Sequence, residues 1–114
     1  MTQGKIKVLF VCTINRMRSA TAHAMYSDDS RFEVRSAGTH PTAHLVINRE
    51  LVIWADWIVV MQPSHEQHIL NNFPRVKGKK LFCLNIPDVY YFDQPELREI
   101  LREKFEKFAG SEIP

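Results

Sequence analysis

The feature that most constrains this 114-residue chain is a short apolar run ending in a cysteine, Val8-Leu9-Phe10-Val11-Cys12. Five residues follow, Thr13-Ile14-Asn15-Arg16-Met17, and then Arg18-Ser19. A continuous apolar stretch of this length is the pattern of a strand covered on both faces, as in a parallel sheet. Ala20-Thr21-Ala22-His23-Ala24-Met25 reads as helix, so the spacing predicts strand, turn, helix, with Cys12 in the turn and the helix beginning near Arg18. The first turn of a helix leaves N–H groups unpaired and carries the positive end of its dipole. A loop wrapped over that end turns several N–H groups inward and makes a nest for an anion. A thiol in such a place ionises readily, its pKa falling to roughly 3.5–7.5 from about 8.5. Arg18 at the rim offers a flat fork of donors that matches two phosphate oxygens. Ser19 can donate its hydroxyl to the thiolate, or to the sulfur as it leaves. The plainer reading is a structural cysteine at a strand end with Arg18 solvated, and it leaves the clustering unexplained. A Cys12 packed away from solvent would overturn the functional reading and leave a small sheet-and-helix domain with no assigned task.

The length suits one domain, residues 1–114, with a single core. Apolar content of 45% with 25% charged residues is ordinary for a soluble globular chain. A formal charge of +2 is too small and too scattered for a nucleic-acid partner. The densest basic cluster, Lys77-Gly78-Lys79-Lys80, reads as a solvated turn, and Arg75-Val76-Lys77 as a surface turn. No apolar run reaches membrane-spanning length and the N-terminus has no secretory pattern, so neither a membrane nor a secretory route is expected. Two cysteines, Cys12 and Cys83, fit a reduced, cytoplasmic chain without a disulfide framework.

Along the chain, Ser27-Asp28-Asp29-Ser30 breaks the first helix, and Phe32-Glu33-Val34-Arg35-Ser36 alternates as a strand closing at Ala37-Gly38-Thr39. Leu45, Val46, Asn48, Arg49, Leu51, Val52 and Ala55 fit a helix within Thr42–Asp56. Trp57-Ile58-Val59-Val60-Met61 is a third strand, stopped by Gln62-Pro63. Ser64-His65-Glu66-Gln67 has capping-box spacing for a helix from about His65 to Asn72, which Phe73-Pro74 ends. Lys80–Leu84 is a fourth strand and 85–95 a loop. A last helix, capped by Asp93 with Glu96, buries Leu97, Ile100, Leu101, Phe105 and Phe108 and stops at Gly110. Alternating strands and helices imply an α/β fold, a four-stranded parallel sheet with helices on both faces. In such a sheet ligands bind beyond the carboxyl ends of the strands, so the loops after Val11, Ser36, Met61 and Leu84 share one edge. Topology alone therefore puts Asp88 on the Cys12 side.

Val11-Cys12, Asn15 and Arg18-Ser19 together resemble the low-molecular-weight protein tyrosine phosphatases, in which a Cys-x5-Arg-Ser loop joins the first strand to the first helix. Ser36-Ala37-Gly38-Thr39 and Ile86-Pro87-Asp88-Val89-Tyr90-Tyr91 are similar to that family's second strand end and acid loop. The resemblance implies the family's three-layer αβα sandwich (phosphotyrosine protein phosphatase I-like) and hydrolysis of phosphate monoesters without metal or other cofactor. Cys12 would be the nucleophile, Arg18 and the main chain of Thr13, Ile14, Asn15, Arg16 and Met17 the phosphate binders, and Ser19 the donor to sulfur. Asp88 would protonate the leaving oxygen, a role that typically contributes about 10² to 10⁴ in rate. Tyr90 and Tyr91 would wall the cleft, favouring phosphotyrosine in a protein or a small aryl phosphate as partner. Ser36 would hold Asn15, a residue type that tolerates a left-handed backbone and can buttress the loop. This chain departs from the family pattern with Ile14 for a common Gly, Met17 for a frequent second Cys, and Val89 for Pro. It is also shorter between Gly38 and Trp57.

Rival readings are a phosphate-binding module without turnover, an arsenate reductase with Cys83 as relay thiol, and a phosphocysteine carrier, to which Asp88 would be useless. His65 and His68 lack a third metal ligand at suitable spacing and read as solvated, and His23, His40 and His44 have no assigned role.

Overall fold

The computed structural model describes residues 4–76 and 78–113, so Lys77, and with it part of both basic turns, lies outside them. Four parallel strands, β1 (Ile6–Cys12), β2 (Phe32–Gly38), β3 (Trp57–Val60) and β4 (Lys80–Cys83), form one sheet in the order β2-β1-β3-β4. β1 is central because it is apolar on both faces. Val8, Phe10 and Cys12 enter one core, with Ala22 and Tyr26 of α1 (Arg18–Tyr26) and Leu97, Leu101 and Phe105 of α4 (Pro95–Glu112). Leu9 and Val11 enter the other, with Leu51 and Val52 of α2 (Arg49–Trp54) and Ile69 of α3 (Pro63–Asn72). This is the three-layer sandwich with a parallel sheet that the alternation predicts. Among the described residues no helix is long and apolar enough to cross a membrane.

The middle of the chain departs from expectation. Only Arg49–Trp54 is helical, started by Asn48, whose Oδ1 accepts the Leu51 N–H at 2.9 Å. Residues 39–47 instead run as a strap beside the loop that follows β1, leaving Leu45 and Val46 exposed. The competing force is main-chain pairing: Thr39, His40 and His44 donate to the carbonyls of Cys12 (3.0 Å), Thr13 (3.0 Å) and Ile14 (2.9 Å). Gly38 permits the approach, since a Cβ there would stand 2.4 Å from the Thr13 carbonyl oxygen and 2.6 Å from the Ala43 Cβ.

Two caps also differ. α3 starts at Pro63, whose ring suits the first helical position, so Gln62 rather than Ser64 is the N-cap. The box is closed by His65, whose Nδ1 accepts the Gln62 N–H at 3.0 Å. His65 is therefore buried, 2% exposed, and not solvated. At α4 the N-cap is Gln94 with no side-chain bond; Asp93 is left-handed (φ 61°) and its carboxylate is taken by Arg98 at 2.6 Å. α4 also runs through Gly110 to Glu112, because burial of Phe108 and Ala109 anchors its last turns against the weak propensity of glycine.

Two predictions follow from these positions. Gly38→Ala must displace main chain, and its overpacking should cost about 1–3 kcal/mol in urea-unfolding free energy; an unchanged midpoint would refute the close approach. Burial, with the Arg18 guanidinium adding to it and Asp88 opposing, holds the His65 pKa down at about 4. Between about pH 6.5 and 4 the unfolded chain then binds more protons than the folded one, so stability falls as pH falls through this window. Urea midpoints of His65→Gln should show a shallower slope there. A residual slope of the same sign should remain from His23, whose pKa is lowered by burial too.

Candidate active site

The loop between β1 and α1 is shaped from outside. With the carbonyls of Cys12, Thr13 and Ile14 held by the strap, trans peptide geometry directs the N–H groups of Thr13, Ile14 and Asn15 the opposite way, and the chain has no cis peptide among the described residues. The N–H groups of residues 14–17 donate to no acceptor among the described residues. The reversal is made at Asn15, which is left-handed (φ 57°), and not at Ile14, so the β-branched residue carries no strain.

Inside the loop, Cys12 Sγ lies 3.0 Å from Ser19 Oγ. Asn15 Nδ2 donates to that same Oγ at 2.8 Å, which leaves the hydroxyl proton for the sulfur or for the Ala37 carbonyl at 3.4 Å. Cys12 itself is only 2% exposed, where an open thiol was expected. What separates it from an inert core thiol is the polar chain of Asn15, Ser19 and Cys12. Ser36 does not hold Asn15; its Oγ pairs with His23 Nδ1 at 2.8 Å, and Ser19 takes the place expected of it.

Arg18 is not at the rim but buried, 1% exposed. Its Nη1 donates to Gln62 Oε1 at 2.6 Å and to the Ile86 carbonyl at 2.8 Å. Its Nη2 has a long contact with Thr13 Oγ1 (3.5 Å) and stands 3.8 Å from an Asp88 oxygen. Nε is buried with no partner among the described residues. One edge of the guanidinium is thus pinned to the ends of β3 and β4, while Nε and Nη2 remain to meet an anion. A buried cation faced only by a carboxylate that is 63% exposed has much to gain from one.

The sheet edge brings Cys12, Arg18, Ser19 and Asp88 together as its topology requires. Ile14 and Arg16 are exposed, Met17 half-buried, Tyr90 half-buried against the core and Tyr91 76% exposed. Sequence reasoning missed Gln62, His65, the Ile86 carbonyl and the bracing main chain at 39–44. The available signal for the first two was position, since they follow β3 at the same carboxyl edge. Cys83 lies across β3 from β1, in register with Val60, itself paired with Val11. Two strand spacings, about 9–10 Å, exceed the reach of a disulfide to the end of β1. Among the described residues no three His, Cys, Asp or Glu side chains cluster as metal ligands.

No protein-family model and no curated protein matches the chain. Solved structures do. The Wzb tyrosine phosphatase of Escherichia coli K30, in complex with phosphate, aligns at TM-score 0.76 and 19% identity over 95% of this chain and 99% of that one. A low-molecular-weight protein tyrosine phosphatase of T. tengcongensis aligns at 0.73 and 20%, over 94% and 99%. The YwlE arginine phosphatase of Geobacillus stearothermophilus aligns at 0.69 and 24%, over 94% of each chain. Sheet order, loop position and these alignments agree: the chain has the fold of the low-molecular-weight protein tyrosine phosphatases.

Proposed function

We propose that the chain is a cysteine-dependent phosphatase that hydrolyses phosphate monoesters through a phosphocysteine. The observation that carries this reading is one loop in which Cys12 Sγ meets Ser19 Oγ at 3.0 Å while the main-chain N–H groups of residues 14–17 and the buried Nε of Arg18 have no acceptor among the described residues. Those donors fit the equatorial oxygens of a transferring phosphoryl group, and donors preset in a dry site stabilise its charge without reorganisation. Cys12 Sγ attacks phosphorus in line, the P–S bond forming as the ester P–O bond breaks, and Asp88 gives its proton to the departing oxygen. Water then attacks phosphorus, delivering a proton to Asp88. The P–S bond breaks with Ser19 donating to the emerging sulfur, and phosphate leaves.

Asp88 suits this task by place. Ile86, two residues before it, pins Arg18, and the Asp88 carboxylate stands at the edge of Arg18 that an anion would occupy. An incoming phosphoryl group takes over Nη2 and releases the carboxyl toward the leaving group. Ile14 and Tyr91 are exposed on loops that leave the carboxyl edge of the sheet, and an aryl ester is the substrate such apolar side chains would suit, so phosphotyrosine in a protein or a small aryl phosphate is the favoured substrate. Phosphoarginine is the competing substrate, on the likeness to the arginine phosphatase. Arsenate reduction is disfavoured by the place of Cys83, and a cytoplasmic setting is consistent with two free thiols.

Hydrolysis of phenyl phosphate, p-nitrophenyl phosphate, a phosphotyrosine peptide and phosphoarginine tests the reading. Cys12→Ser should abolish turnover with the fold intact by circular dichroism. Asp88→Asn should lower kcat on phenyl phosphate by about 10² to 10⁴ and far less on the activated nitrophenyl ester. Equal losses on both would remove Asp88 from the proton-donor role. Phosphate binding without release of product from any ester would leave a binding module.

A further inference from the structure

Thr13 offers more than its main chain to this site. His65 Nδ1 accepts the Gln62 N–H, so the imidazole proton sits on Nε2, which donates to Thr13 Oγ1 at 2.9 Å. Arg18 Nη2, which can only donate, approaches the same oxygen at 3.5 Å. A hydroxyl has two acceptor lone pairs and one proton. Both lone pairs of Thr13 Oγ1 face donors, and no acceptor for its proton exists among the described residues. The proton is therefore free for something the described residues do not supply, beside the edge of Arg18 left open for an anion.

We propose that the Thr13 hydroxyl is a phosphate-binding donor whose polarity is imposed by His65, making His65 a positioning residue for the anion site. The inference rests on the phosphatase reading and adds a side-chain donor to the main-chain cup. Doubly held from behind, the hydroxyl cannot rotate its lone pairs toward the incoming oxygens, so it meets an anion only as a donor. His65 sets this arrangement from the far side of Arg18, because it also fixes the main chain of Gln62, whose Oε1 grips Nη1. The charged and titratable groups that face His65 are Arg18, Asp88 and His68. Burial and the Arg18 guanidinium disfavour its protonation while the Asp88 carboxylate opposes them, and the balance keeps Nδ1 available as the acceptor that defines the tautomer.

Calorimetric titration with inorganic phosphate tests this on the intact chain. A hydrogen bond to a charged group is worth about a ten- to hundredfold change in affinity. Thr13→Val should lose about that much, and Thr13→Ser should recover most of it. His65→Leu should weaken phosphate binding when Thr13 is present and add nothing in the Thr13→Val background, a coupling that a merely structural histidine would not show. His65→Gln, which keeps a terminal amide donor for Thr13, should lie close to the unaltered protein. If His65→Leu fails to fold, the Thr13→Val and Thr13→Ser pair decides alone. Unchanged affinity in Thr13→Val, or equal losses from His65→Leu in both backgrounds, overturns the proposal while leaving the phosphatase reading standing. Absence of phosphate binding by the unaltered protein overturns both.

Discussion

The site depends on which way three carbonyl groups point. Cys12, Thr13 and Ile14 turn their C=O groups outward because the strap at 39–44 supplies N–H groups there. Planar trans peptides then leave the next N–H groups facing the other way. Gly38 lets the strap come close enough and Asn15 makes the left-handed reversal, so the cup is the product of two conformationally special residues and a run of main-chain bonds. No side chain in the loop has to create the anion preference; the side chains refine it.

Arg18 extends the same logic. Burying a guanidinium is costly unless its donors are met. Here the cost is offset on one edge by Gln62 and the Ile86 carbonyl and left open on the other. β3 and β4 thus contribute to a site whose proposed nucleophile comes from β1, through the residues that follow each strand. The sheet order β2-β1-β3-β4 makes this possible, since it places the end of β1 between the strap that follows β2 and the cap that follows β3.

The strong apolar strands, the turn between Cys12 and Arg18 and the topological placement of Asp88 were legible in the sequence because each rests on short-range pattern or on the direction of a parallel sheet, although Cys12 itself is the last residue of β1 and not part of the turn. The strap was not legible. Leu45, Val46, Leu51 and Val52 have helical spacing, and only the pairing of the strap with the β1 loop, 27 to 30 residues earlier in the chain (Thr39 to Cys12, His44 to Ile14), decides that Leu45 and Val46 stay outside α2. Ser36 and Ser19 are both plausible partners for Asn15 on chemistry alone, and the four-residue separation within the loop and first helical turn favours Ser19. His65 looked solvated because its neighbours are polar, whereas Pro63 had shifted the helix start so that position 65 closes the cap and turns inward.

The most direct test of the central claim is a phosphate titration followed by amide and arginine side-chain resonances. Saturable shifts, with one dissociation constant, are predicted for the N–H groups of residues 14–17 and for Arg18 Nε–H, with the strap amides of Thr39, His40 and His44 largely unmoved. Shifts confined to other parts of the surface, or none at all, would contradict the account.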